Sequence, residues 1–222
     1  MLRIINQQAD VTAELQRICE RTNDEQVLHI EATVREVLQA VKRQGDKALF
    51  HFTAELDNLI LNAEVLRVTD SVYDEAYKNI SKDLLKGIRL ACSKIEKFHR
   101  QRVPKNWVSF EDDEVVLGKR YTPVDTAGLY VPGGRASYPS TVLMNAIPAK
   151  VAGVARRVMV TPPGAEKRIS PAVLVAAREA GIDEIYRVGG AQAIGALAYG
   201  TQTIPKVNVI TGPGNIYVTL AK

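Results

Sequence analysis

Residues 127–161 read AGLYVPGGRASYPSTVLMNAIPAKVAGVARRVMVT. An apolar run from Ala127 to Val131 is followed by Pro132-Gly133-Gly134, a helix-patterned stretch from Ser140 to Val154, and a second apolar run from Arg157 to Thr161. Strand, turn, helix and strand in this order predict a βαβ unit, because two parallel strands need a crossover long enough to carry the chain back. The alternation then repeats. Ser170 to Ala180 predicts a helix with Pro171 at its first position and Gly181 past its end. Glu184 to Val188 predicts a strand, Ala191 to Tyr199 a helix and Val207 to Thr211 a strand, and Asn215 opens a further helix. The predicted class is α/β, with an N-terminal helical region followed by an incomplete Rossmann-like parallel-sheet domain.

Upstream the composition changes. Residues 1–100 hold two glycines and no proline, whereas residues 101–222 hold thirteen glycines and all ten prolines. The first part therefore predicts helices without special turns, and a composition boundary falls near Pro104. Val27, Ile30, Val34, Val37, Leu38 and Val41 recur at helical spacing ahead of Gly45, a residue able to take positive φ. Residues 46–56 continue as helix, Leu59 to Val68 reads as a strand in preference to a helix, and Ser71 is positioned as a helix cap. From Ser81, the stripe Leu84, Leu85, Ile88, Cys92, Ile95 and Phe98 marks one helix face. Trp107 to Phe110 and Val115 to Tyr121 enclose Glu111-Asp112-Asp113-Glu114, which predicts a β-hairpin with a solvated turn. The predicted units are a helical region at 1–105, a hairpin connector at 106–123 and the α/β domain at 124–222, truncated at its C-terminal end.

The chain has 222 residues, a formal charge of +4, 46% apolar and 24% charged residues, which are ordinary globular values. No apolar run approaches the ~18 residues of a membrane span, and the start MLRIINQQAD lacks the plan of a secretion signal, so a cytoplasmic protein is expected. The positive charge does not predict nucleic-acid binding. Residues 101–222 carry 14 basic and 9 acidic side chains, spread over short segments instead of forming a stripe interleaved with aromatics. Cys19 and Cys92 have neither disulfide-framework nor zinc-ribbon spacing.

In a parallel sheet, ligands bind outside the carboxyl ends of the strands, where helix N-termini present free N–H groups. Three glycine-bearing loops sit at such positions: Pro132-Gly133-Gly134, Gly189-Gly190-Ala191-Gln192 and Gly212-Pro213-Gly214-Asn215. Glycine there leaves room for a ligand to approach, although a single such loop can equally be a tight strand-to-helix turn. Tyr130 offers a ring and a hydroxyl, and Gln192 and Asn215 offer amide donor and acceptor pairs. A tyrosine at a strand end can also be core, and an asparagine after glycine can simply cap its helix. Neither a G-x-G-x-x-G fingerprint nor a P-loop is present.

From Tyr121 onward there is no His, no Cys and only five carboxylates, Asp125, Glu166, Glu179, Asp183 and Glu184, of which the last four read as solvated flanks. His29, His51 and His99 lie in the helical part with no two at i, i+3 or i+4 spacing. No general base, serine elbow or metal cluster is predicted.

GLYVPGG (128–134), YPSTVLMNAIPA (138–149), VGGAQAIGALAYGT (188–201) and PKVNVITGPGN (205–215), with VKRQGDKAL (41–49) upstream, closely resemble histidinol dehydrogenases. The resemblance covers essentially this whole chain but not the whole family enzyme. It implies a zinc-dependent oxidoreductase of histidine biosynthesis that oxidises L-histidinol to L-histidine through L-histidinaldehyde, passing hydrides to two NAD molecules, and that is a homodimer. It places Tyr130, Gln192 and Asn215 where the family contacts NAD. The family's zinc ligands (Gln, His, Asp and His) and its catalytic Glu-His pair belong to a portion beyond Lys222. The reading is an N-terminal fragment that carries the NAD half of the site and is inactive alone, with no catalytic or metal residue of its own. Two alternatives stand beside it: a non-catalytic nucleotide-binding or interaction module, and a half-enzyme complemented by another chain.

Overall fold

The computed structural model describes residues 4–5, 8–19, 24–111, 114–133, 137–164 and 167–222. Gly134, Asp112, Asp113 and Glu166, singled out in the sequence, lie outside them.

Among the described residues, six helices precede the sheet: α1 (Gln8–Cys19), α2 (Asp24–Gln44), α3 (Asp46–Asp57), α4 (Ala63–Leu66), α5 (Asp70–Lys78) and α6 (Lys82–Arg100). Strands β1 (Trp107–Phe110) and β2 (Val116–Lys119) pair antiparallel with Trp107 opposite Lys119, which is the predicted hairpin. Then follow β3 (Thr126–Tyr130), α7 (Pro139–Ala152), β4 (Arg156–Val160), α8 (Pro171–Glu179), β5 (Glu184–Tyr186), α9 (Gly190–Tyr199), β6 (Val209–Thr211) and α10 (Ile216–Ala221). The second sheet is wholly parallel with order β5-β4-β3-β6, as the strand and helix alternation predicts.

Both faces of this sheet are covered, which is why its strands read as continuous apolar runs. Leu129, Met159 and Ile185 face a core shared with α5, α6, α7 and α8, while Tyr130, Val158 and Val160 face one shared with α2, α3, α9 and α10. Helices α2, α3, α5 and α6 thus pack directly on the sheet domain. A polar clasp reinforces the second face: the Asp46 N–H donates to Gln202 Oε1 at 2.8 Å, and the Thr203 hydroxyl donates to the buried Asp46 carboxylate at 2.7 Å.

Three local readings are corrected. The stretch 59–68 contains a short helix, α4, at Ala63–Leu66, capped by Asn62, whose side chain accepts from the N–H groups of Glu64 and Val65. Asn62 and Arg67, on either side of the helix, are extended, and Arg67 bridges Tyr186 antiparallel, with the Val68 N–H donating to the Ile185 carbonyl and the Arg187 N–H to the Leu66 carbonyl, both at 2.9 Å. The cap position of α5 is Thr69, and Ser71 lies within the helix with its hydroxyl 2.9 Å from that of Thr69. Glu184 is not solvated. It is 7% exposed, accepts from Arg156 Nε at 2.6 Å and from the Tyr186 hydroxyl at 2.5 Å, and so completes the edge of the core. Arg157 pairs with Asp183 in the same way, so the adjacent cations Arg156 and Arg157 are both neutralised within the fold.

Candidate functional site

The strand order fixes where a crevice can form. From β3 the chain builds β4 and β5 on one side, then crosses to place β6 on the other, so the topological switch lies between β3 and β6. At such a point the connections leave in opposite directions and the carboxyl edge opens between them. Tyr130 ends β3 there, and Gly212 follows β6.

Tyr130 is 4% exposed, with its ring packed on the α9 side of the sheet. The Gly190 N–H, at the start of α9, donates to its hydroxyl at 3.2 Å. Burial raises the Tyr130 pKa and the Asp57 charge adds to that rise, against the Gly190 donor. Gln192 is completely buried. Its Nε2 donates to Asp57 Oδ2 at 3.2 Å, while its Oε1 has no hydrogen-bond partner. Asn215 is exposed and caps α10, its Oδ1 accepting from the Val218 N–H at 3.1 Å. The core and cap readings hold: Tyr130 is core and Asn215 caps its helix, and both lie at or just after the carboxyl ends of strands. The structure brings Tyr130 and Gln192 together through Gly190, and sets Asn215 on the adjoining loop, whose Gly212 lies against the Tyr130 backbone. Among the described residues no hydrogen bond links the Asn215 side chain to either of the other two.

The tight-turn reading of the glycines has a direct cause in the fold. A Cβ on Gly133 would lie 2.3 Å from the Pro162 carbonyl oxygen, one on Gly189 would lie 2.7 Å from the Pro162 ring, and one on Gly212 would lie 2.0 Å from the Tyr130 carbonyl oxygen. Side chains are excluded at these positions because the loops approach one another, before any ligand is considered. Gly212 also holds φ at +120°, and Gly190 at +67°, where L-residues are strained.

Asp57 was not found from sequence. It ends α3, 135 residues before Gln192, and reaches the site through the packing of α3 on α9. Burial raises its pKa, opposed by the Gln192 hydrogen bond. On the opposite side of the strand ends lies a cavity of about 890 Å³ bordered by Thr161, Ser170, Lys167, Arg168 and Arg187, with Glu75 among its lining. Burial lowers the Arg187 pKa, and its guanidinium donates to the Val65 carbonyl at 3.3 Å. Among the described residues no group of three or more His, Cys, Asp or Glu side chains is placed to hold a metal ion, and no helix is long and apolar enough to cross a membrane.

The sequence profile of the histidinol dehydrogenase family matches residues 20–222. The chain belongs to the histidinol dehydrogenase family. It is 78% identical over 222 residues to histidinol dehydrogenase 2 of Trichormus variabilis, covering all of this chain and 51% of that protein. It is 68% identical to the histidinol dehydrogenase of a Synechococcus strain, again across the whole chain and 51% of the relative. The crystal structure of the histidinol dehydrogenase of Elizabethkingia anophelis superposes with a TM-score of 0.82 at 39% identity, over 87% of this chain and 44% of that one. The chain thus spans about half the length of the histidinol dehydrogenases it matches.

Proposed function

We propose that the crevice between β3 and β6 is an NAD site, and that the chain is the NAD-binding part of a zinc- and NAD-dependent histidinol dehydrogenase that oxidises L-histidinol to L-histidine through L-histidinaldehyde. The observation that carries the reading is the reversal of strand order at β3, the place where parallel sheets seat their ligands, with Tyr130 ending that strand in a chain of this family. The glycines do not carry it, since the fold itself requires them. The described residues fit a dinucleotide in three respects: a tyrosine at the strand end, polar amide and carboxylate groups beside it, and a neighbouring cavity bordered by three cations. NAD, when bound, supplies the hydride acceptor for both oxidation steps. The chain's own part is to seat it. The Tyr130 hydroxyl, fixed by Gly190, offers its proton to a ligand acceptor, and the Asn215 amide N–H₂ stays available because only Oδ1 is used in the cap.

The described residues do not fit zinc, so no step is routed through a metal on this chain. The groups that take the histidinol proton and activate water are assigned to the remainder of the family enzyme, as is the homodimer contact. Calorimetric titration of the 222-residue chain with NAD tests the reading. Saturable binding weakened in Asn215→Ala supports it, and the absence of binding refutes it. If NAD binds and histidinol yields no NADH, the non-catalytic module and the complemented half-enzyme remain, and adding the missing half separates them through recovery of NADH formation.

A further inference from the structure

The hairpin of β1 and β2 stands apart from both layers that cover the parallel sheet. In its register Val108 lies opposite Gly118 and Phe110 opposite Val116, so these four residues share one face, while Trp107, Ser109, Leu117 and Lys119 share the other. The second face is mixed: the Ser109 hydroxyl donates to Glu111 Oε1 at 2.8 Å, and the Lys119 ammonium lies 4.9 Å from the centre of the Tyr121 ring. The first face has no polar side chain, yet Val108 is 63%, Val116 57% and Phe110 80% exposed. Neither apolar core of the described residues includes any of the three. A two-stranded ribbon is marginal in water by itself, and a sheet keeps an apolar face against another layer. A face of Val, Phe and Val open to water therefore marks a contact surface.

We infer that the Val108, Phe110 and Val116 face is the seat of the half of a histidinol dehydrogenase that lies outside this chain. Two observations choose that occupant. The hairpin falls inside the stretch that the family profile matches, so it belongs to the shared fold and is not an addition peculiar to this chain. The relatives carry about as much chain again, and it is held in the same polypeptide, at an effective concentration that a freely diffusing partner does not reach. The occupant's surface is apolar opposite Phe110 and carries carboxylates opposite the cations at the base of the hairpin, Lys105, Lys119 and Arg120. None of this depends on what the crevice beside β3 binds.

Labelling of a single introduced thiol tests the inference in two proteins: the 222-residue chain, and the same chain fused after Lys222 to the part of the Trichormus variabilis protein that lies beyond the match. Both carry Cys19→Ser and Cys92→Ser, which removes the native thiols. Phe110→Cys is expected to react in the chain alone as fast as in the urea-unfolded chain, and about 10-fold or more slowly in the fusion, at a rate independent of protein concentration. Val116→Cys repeats the measurement with a smaller change, in case the loss of the Phe110 ring itself loosens the contact. Phe110→Ser is expected to shift the melting temperature of the chain alone by no more than about 1 °C, because an exposed side chain contributes little, and to lower that of the fusion by more. Rapid labelling of both positions in the fusion overturns the inference. So does protection that appears only as protein concentration rises, in either protein, because the cover is then a second copy. A chain that fails to bind NAD refutes the cofactor reading and leaves this one standing.

Discussion

Replacing Gly212 with alanine tests the geometry at its tightest point. The new Cβ would lie 2.0 Å from the Tyr130 carbonyl oxygen, 2.9 Å from its carbon and 3.2 Å from its nitrogen, and the obstacle is backbone, which cannot rotate aside. Relief requires the loop after β6 to retreat by about 1 Å, and the side chain is strained at φ +120° besides. Overpacking and backbone strain each cost about 1–3 kcal/mol, so about 3 kcal/mol is a reasonable sum. At this chain length that lowers the melting temperature by about 6–12 °C. Far-UV circular dichroism against temperature reads it, with Gly87→Ala as the control. Gly87 lies in α6 with nothing within 4 Å of its would-be Cβ, so that variant gains about 0.5–1 kcal/mol from helix propensity. On the proposed NAD reading the displaced loop carries Asn215, so NAD affinity is expected to fall along with stability in Gly212→Ala. A Gly212→Ala chain that melts within about 1 °C of wild type would show that β3 and the loop after β6 do not meet as described.

Glu184→Ala leaves Arg156 and Tyr186 without their acceptor and is expected to lose about 2 kcal/mol in urea titration; an unchanged midpoint would deny the buried edge. Desolvation works to raise the Glu184 pKa, but the Tyr186 and Arg156 hydrogen bonds outweigh it and the net direction is down. Its stabilisation is therefore complete above the ordinary glutamate range and lost as pH falls through the lowered value, so Glu184→Gln should flatten the acid limb of the stability curve. Asp57 has the opposite sign. Its raised pKa means that ionisation costs stability as pH rises through the ordinary aspartate value and up to the raised one. Asp57→Asn should then melt higher than wild type at pH 7 and equal to it in acid well below the aspartate range; a lower melting point at pH 7 would contradict the unpaired state of the carboxylate. Thr203→Val removes the donor to buried Asp46 and should cost about 1–3 kcal/mol, with α3 amides exchanging faster in hydrogen-exchange measurements; unaltered protection would mean that the clasp does not hold α3 to the sheet.

The sheet was legible because each of its strands is buried on two sides, so Ala127 to Val131 and Arg157 to Thr161 stand out as apolar runs between glycine and proline punctuation. The positions of Tyr130, Gln192 and Asn215 followed from the strand ends, but their states did not. That Gln192 is sealed in depends on α2 and α3 covering α9, a contact between segments more than a hundred residues apart. Asp57 gave no local signal, being one carboxylate in the polar end of an amphipathic helix. Glu184 misled for the same reason: beside Asp183 it reads as a solvated flank, and only the pairing of residues 66–68 with β5 and the approach of Arg156 enclose it. The glycines were located from the sequence, but a pattern of small residues records that something comes near without saying whether it is a ligand or the protein's own backbone.

The parallel sheet has two rims of unequal character. Beside β5, the backbone of residues 66–68 occupies the donors and acceptors that an edge strand would otherwise offer. Beside β6, no strand of the described residues follows, and Val209 is 43% exposed. Lateral growth of this sheet is therefore one-directional: any additional backbone, from whatever source, can be stitched on next to Val209–Thr211, while the far margin is already hemmed.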